Sequence, residues 1–437
     1  MSTLLTLAAH PWDNHKCRSV RFLELPAPPM SPPRVGIWLI GARGGVAATA
    51  TVGLIGLQKQ LTQTVGLVSE LPYFTGVDFA AWPSFVVGGH EIREGTLVEA
   101  VERLRNDSHV FNSALVDGCR DELTAIDACI RPGTLINCGD TIGRLAGPSM
   151  RDFAKEAAAA AVKRLQGDLR NFQQQTGVER VVVVNVASTE PSGDTSKLPE
   201  RWDELSKQID ASTCDSLPAS SLYSIAALDL GMPFVNFTPS LGAAPAAIQD
   251  LAVQRKTCHA GQDGKTGETL LKSVLAPMFA ARNLEVLSWV GHNIFGNLDG
   301  LVLDDPANKA AKIKSKDQLV GNILGYDPQT LVSIEYIKSL GDWKTAWDHI
   351  HFRGFLGTPM TLQFIWQGCD SLLAAPLVLD LIRFVELANR RGEVGVLAQL
   401  ASFFKSPLGI KEHDFSRQFS LLLGWAERHR RVELAGG

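Results

Sequence analysis

Residues 34–60, RVGIWLIGARGGVAATATVGLIGLQKQ, decide the fold. The stretch from Arg34 to Gly41 is a continuous apolar run of strand length ending in glycine. A small-residue-rich segment with helical character follows Gly45. Strand, glycine turn and helix is the context a dinucleotide pyrophosphate needs. Glycines let the backbone approach the phosphates, and the helix N-terminus offers free N–H groups and a positive dipole end. The spacing Gly41-Ala42-Arg43-Gly44-Gly45 departs from G-x-G-x-x-G, because Arg43 stands where the second glycine belongs. Read alone, the turn is either a tight structural turn or a cofactor cradle made by Gly41, Arg43, Gly44, Gly45 and Val46. Arg43 can equally contact a phosphate or face solvent.

Outward from this unit, strand-like and helical runs alternate. Thr64 to Ser69 reads as a second strand ending at Glu70, and Phe85 to Glu91 as another ending at Glu91. Either carboxylate can bind the adenosine ribose, or be a charge at a strand end. Thr134 to Asp140 reads as a strand and 151–169 as an alanine-rich amphipathic helix. Arg180-VVVVNVASTEP is a β-branched buried strand, and Phe234 to Ser240 is one more. This alternation predicts an α/β fold, a Rossmann-type doubly wound, mostly parallel sheet with helices on both faces. Ligands then sit beyond the strands' carboxyl ends, where Ser188, Thr189, Asn236 and Thr238 line a cofactor.

Composition excludes several classes. The chain has 437 residues, 45% of them hydrophobic and 20% charged, as in an ordinary globular protein of more than one folding unit. A net charge of −4 and the lack of a basic cluster argue against nucleic acid. No apolar run approaches the roughly 20 residues of a membrane span. Ten scattered histidines give no zinc spacing, and seven separated cysteines fit a reduced protein better than a disulfide framework. The N-terminal segment has no basic region before its short apolar run, and LPAPPMSPPR reads as an extended linker. A cytoplasmic location is expected.

After about Ala260 the texture changes. The loop 261–267, GQDGKTG, is not a P-loop, and it precedes a helix (270–282) and a strand (284–290). Residues 296–316, GNLDGLVLDDPANKAAKIKSK, then hold Asn297 and Asp299 between glycines and place Lys312 and Lys316 four apart. On a helix both ammonium groups share one face, which suits an anionic, hydroxyl-bearing substrate or a solvated surface. Strands follow at 331–337 and 360–366. Asp370 and Ser371 then open a long apolar helix, 372–391, as a cofactor-side pair or a plain N-cap.

Six pieces in order carry a resemblance: GQDGKTGETLLKSVL (261–275), HNIFGNLDG (292–300), KIKSK (312–316), GDWKTAWD (341–348), DSLLAAPLVLDL (370–381) and FKSP (404–407). Together they resemble the myo-inositol-1-phosphate synthase family, strongly across 261–407 and more weakly through the nucleotide-binding part. The resemblance implies an isomerase that turns glucose 6-phosphate into 1D-myo-inositol 3-phosphate (L-myo-inositol 1-phosphate). Bound NAD is reduced and then reoxidised. It implies an N-terminal extension (1–33), a Rossmann-type domain (34–269 and 370–437), an inserted α+β catalytic domain (270–369) and a homotetramer. By the same resemblance Lys312, Lys316, Lys344, Lys405 and Asp299 are catalytic, and Asn297, Asp263 and Thr266 bind substrate. The cofactor set is Gly41, Arg43, Gly44, Gly45, Val46, Glu91, Ser188, Thr189, Asn236 and Asp370. Asp370 and Ser371 hold a cation near the pyrophosphate.

The chemistry fits those roles. Oxidation at C5 needs a base at the hydroxyl, and enolisation and aldol closure need cations for developing oxyanions. Lysines serve both tasks, since burial and mutual repulsion lower an ammonium pKa. Lys312 is the expected C5 proton acceptor, and Lys344 and Lys405 hold the aldehyde oxygen or phosphate. The chain departs from the family pattern at Ser188, at Asn236 to Leu241, at His90-Glu91 and at Leu298. Glu91 keeps a carboxylate where the family has one, which favours it over Glu70 and favours NAD over NADP. Two other functions share the fold: a sugar-phosphate dehydrogenase with net NADH turnover, and a non-catalytic NAD-binding scaffold.

Overall fold

β1 (Val35–Ile40) is buried at every position, because the sheet it belongs to is covered on both faces. In this computed structural model, which describes residues 33–191, 193–297, 300 and 319–430, its side chains alternate between two cores. Ile37 and Leu39 pack with Leu54, Val378, Phe384 and Trp425, while Trp38 and Ile40 pack with Leu165, Phe172, Leu222 and Phe234. The chain continues through β2 (Phe85–Glu91), β3 (Ile130–Pro132), β4 (Arg180–Asn185), β5 (Phe234–Asn236) and β6 (Cys258–Gly261). With β11 (Gly395–Val396) these make a seven-stranded parallel sheet in the order β11-β6-β5-β4-β1-β2-β3. Strand order reverses between β1 and β4, so a crevice opens beyond their carboxyl ends.

A second sheet comes from the segment between β6 and β11. It joins β7 (Glu285–Phe295), β8 (Gln329–Tyr336), β9 (Trp343–Arg353) and β10 (Pro359–Cys369) in the order β10-β9-β7-β8. The β7–β8 pair is parallel and the others are antiparallel. From Cys369 the chain enters the helix Asp370–Arg390, whose Val378, Leu381, Phe384 and Val385 are buried in the core over the first sheet. Among the described residues no helix is long and apolar enough to cross a membrane.

Two sequence expectations are corrected. Residues 64–69 do not form a strand: a turn leads into the short 3-10 helix Val68–Glu70, and Val65 is 87% exposed. The Asp380 carboxylate accepts from the amides of Val68 and Ser69 at 2.6 and 2.9 Å, so a side chain takes the place of a neighbouring strand. Residues 134–139 also turn, with positive φ at Asn137 and Gly139, and the strand lies earlier, at β3. The expected helix at 151–169 starts at Ala158 and runs to Thr176. β9 was not anticipated at all. Its buried positions include Asp348 beside Ala346 and Ile350, and that inward acid interrupts the apolar alternation.

Candidate active site

A cavity of about 980 Å³ occupies the crevice at the ends of β1 and β4. Its lining comes from the glycine turn, the ends of β2 and β4, the loop after β6, the start of β9 and the start of the helix Asp370–Arg390.

The glycine turn is built for close approach. Gly41 has φ +82, and a Cβ there would stand 2.9 Å from Ala187 Cα. The helix Gly45–Gln58 begins with no side-chain cap and no acidic residue in its first turn, which leaves its dipole open to an anion. A Cβ on Gly45 would come within 2.8 Å of Ser371 Oγ, so glycine here keeps space between two helix starts. Val46 lines the same wall. Arg43 lines it too, but its guanidinium is held by Asp127, with Nη2 at 2.9 Å and Nε at 3.0 Å.

Glu91, at the end of β2, reaches the cavity with a side chain 2% exposed. Burial raises its carboxyl pKa, and the Arg93 charge with hydrogen bonds from Arg93 and Arg43 outweighs that, so the net shift is down. Glu70, the alternative acid, is outside the cavity lining and bonds Trp82 Nε1 and Arg383.

Asp342, just before β9, ties three elements together. Its amide donates to Ser108 Oγ at 3.0 Å, and its carboxylate accepts from Ser371 N at 3.0 Å and Cys369 Sγ at 2.9 Å. Asp370 N donates to its carbonyl, and Asn297 Nδ2 lies 3.5 Å from Oδ1. Burial pushes the Asp342 carboxyl above its ordinary value against the Cys369 and Ser371 hydrogen bonds. Lys344, two residues on, lines the cavity with Nζ 5.2 Å from the Phe295 ring centroid. Asp370 and Ser371 also line it. Among the described residues no group of three His, Cys, Asp or Glu side chains could hold a metal ion.

The loop after β6 is zipped to the strand-like segment around Phe404. Gly264 bridges Phe404, Lys265 N donates to Phe403 O, and Lys405 N donates to Asp263 O. This pairing sets Lys405 Nζ 3.0 Å from Asp263 Oδ1, both nearly buried and both on the cavity wall. Lys265, which sequence reasoning passed over, is 2% exposed, and its Nζ donates to Gln418 Oε1. Burial pushes its pKa down to about 7, with Asp414 raising it and Lys405 lowering it. Thr266 lines the cavity just before the helix Gly267–Ala281.

Ser188 and Thr189 line the cavity as expected. Asn236 does not. It is 1% exposed, its Nδ2 donates to Ser240 O, and its Oδ1 accepts from Asn185 and Thr238, so it shapes the turn after β5. Thr238 and Phe237 reach the wall instead. Glu190, next to Thr189, was missed: it lines the cavity, Oε1 accepts from Ser220 N at 2.9 Å, and buried Oε2 has no hydrogen-bond partner among the described residues. Thr134 Oγ1 is a second such orphan on the same lining. An acid five residues past the β-branched strand Arg180–Asn185 was the available signal. Asp299, Lys312 and Lys316 lie outside the described residues.

Comparison with known proteins points one way. The family model described as myo-inositol-1-phosphate synthase matches residues 35–426. An inositol-3-phosphate synthase 1 of Bacteroides thetaiotaomicron is 32% identical, covering 88% of this chain and 91% of the relative. An inositol-3-phosphate synthase of Spirodela polyrhiza is 29% identical over 82% of this chain and 75% of the relative. Among solved structures, inositol-3-phosphate synthase from Caenorhabditis elegans shares the fold, with TM-score 0.79 at 24% identity over 92% of this chain and 86% of that one. A myo-inositol-1-phosphate synthase-related protein from Thermotoga maritima aligns with TM-score 0.73 at 25% identity, over 90% and 98%.

Proposed function

The chain belongs to the myo-inositol-1-phosphate synthase family, and on that premise we propose that it converts D-glucose 6-phosphate to 1D-myo-inositol 3-phosphate with no net redox change. It is an isomerase of the intramolecular lyase type. The observation that carries this reading is the meeting, in one cavity, of an uncapped helix start behind Gly41 to Gly45 with Lys344 and the Lys405–Asp263 pair.

The residues fit a nicotinamide dinucleotide. A Cβ at Gly41 would fill the cradle, the helix Gly45–Gln58 offers its N-terminus to the pyrophosphate, and Glu190 Oε2 and Thr134 Oγ1 on the lining have no hydrogen-bond partner among the described residues. Bound there, NAD would supply the hydride acceptor and donor for the substrate's C5. The chain's own residues do the rest. Lys344, half-buried, and Lys405, nearly buried, stabilise developing oxyanions or hold the phosphate, because an ammonium withdrawn from water acts at a lower effective dielectric. Asp263 keeps Lys405 in position and, with Asn297 and Thr266, orients hydroxyl groups. Lys312, assisted by Lys316 and Asp299, takes the proton at C5 in this proposal. Ser188, Thr189 and Asp370 contribute to the cofactor wall.

The same reading assigns 34–269 and 370–437 to the cofactor domain and 270–369 to an inserted catalytic domain through which a homotetramer assembles. Exposed Ile365 (70%) and Leu331 (52%) on the four-stranded sheet support that role. A cytoplasmic location agrees with the six free cysteines of the described residues. Incubation with glucose 6-phosphate and NAD, followed by phosphorus NMR and absorbance at 340 nm, tests the function. The expected result is an inositol monophosphate without net NADH. Stoichiometric NADH and no such product would instead indicate a dehydrogenase.

A further inference from the structure

An acid at the end of the second Rossmann strand selects NAD when its oxygens are available to the adenosine ribose. Glu91 stands at that position with its oxygens already engaged. Oε1 accepts from Ile92 N at 2.9 Å, Arg93 N at 3.1 Å and Arg93 Nε at 3.2 Å. Oε2 accepts from Arg43 N at 2.7 Å and Arg93 Nη2 at 3.1 Å. Five donors converge on a group that offers about four lone-pair sites. A ribose diol therefore gains little from this carboxylate, and the negative charge that would repel a 2′-phosphate is offset by its own strand-end amides and a guanidinium.

Arg93 is the other half of the arrangement. Two of its five N–H groups fork onto Glu91, and the remaining three are not committed to that carboxylate. Its side chain is 21% exposed and lines the cavity beside Glu91, with exposed Arg103 on the same lining. The pair fixes Arg93 on the cavity lining, where a phosphate on the ribose would meet a planar donor edge.

We propose that the Glu91–Arg93 pair makes this site tolerant of a 2′-phosphate, so that the protein binds NADP as well as NAD. The inference rests on the dinucleotide reading of the cavity. NAD remains a ligand, and what the geometry removes is the exclusion of its phosphorylated form.

Titration of the purified full chain with NADH and with NADPH, followed by nicotinamide fluorescence, tests it. A charge-assisted phosphate contact is worth roughly tenfold in affinity or more. The NADPH Kd is expected within about thirtyfold of the NADH Kd. Arg93→Ala is expected to weaken NADPH about tenfold and NADH by less than about threefold, while Glu91→Gln tightens NADPH. Binding of NADH with NADPH more than about thirtyfold weaker would overturn the inference and leave the cofactor reading intact. Equal loss of both ligands in Arg93→Ala would do the same. Failure of both ligands to bind wild-type protein would overturn the cofactor reading with it.

Discussion

Replacing Glu190 by Gln should remove a pH dependence of stability that the cavity wall builds in. The Glu190 side chain is buried, with one oxygen bonded to Ser220 N and the other without a partner among the described residues. Burial raises its pKa from 4.5 to about 7, against the opposing Ser220 hydrogen bonds. Between those values the folded chain holds a proton that the unfolded chain has lost. The unfolded state binds fewer protons there, so stability falls as pH rises from 4.5 through about 7 and is flat beyond. At about 1.4 kcal/mol per pH unit, the loss approaches roughly 3 kcal/mol. Gln cannot ionise and keeps the acceptor for Ser220. The assay is the urea midpoint of wild type and Glu190→Gln at pH 5, 6, 7 and 8. The variant should match wild type at pH 5 within about 1 kcal/mol and exceed it by about 2–3 kcal/mol at pH 8. Parallel pH curves for the two proteins would refute the reasoning.

Two other perturbations follow from buried groups. His259 is fully buried and neither ring nitrogen has a partner among the described residues; burial lowers its pKa to about 4 from 6.5. The unfolded state binds the extra proton between those values, so stability drops as pH falls through them, and His259→Phe should flatten that acid limb in thermal melts at pH 4 to 6.5. Lys405→Ala leaves the nearly buried Asp263 carboxylate without its ion-pair partner and should cost about 3–5 kcal/mol. The Lys405→Ala/Asp263→Ala double variant should recover part of that, and additive losses in urea titrations would contradict a coupled pair.

The first βα unit was legible because a strand covered on both faces must be continuously apolar, and because Gly41 sits where only a glycine tolerates both the backbone angle and the approach of Ala187. Residues 64–69 look as strand-like as β1 locally. They turn because Asp380, more than 300 residues away, satisfies their amides. Asn236 lies off the cavity lining for a related reason: polar residues after a strand can line a ligand or cap the strand's own turn, and local sequence does not separate the two. Asp342 was visible within a motif, but its bonds to Ser108, Cys369 and Ser371 exist only after the sheets form. Glu190 was hidden because its distinguishing feature, an oxygen without a partner, is a property of burial.

In the proposed reaction, oxidation and re-reduction occur at the same carbon within one turnover in this cavity. Glucose 6-phosphate deuterated at C5, converted by the purified protein in the presence of excess unlabelled NADH, tests it most directly. The expected product is an inositol monophosphate that keeps its deuterium at the corresponding carbon. Product with the label exchanged for protium, or label accumulating in free NADH, would contradict it.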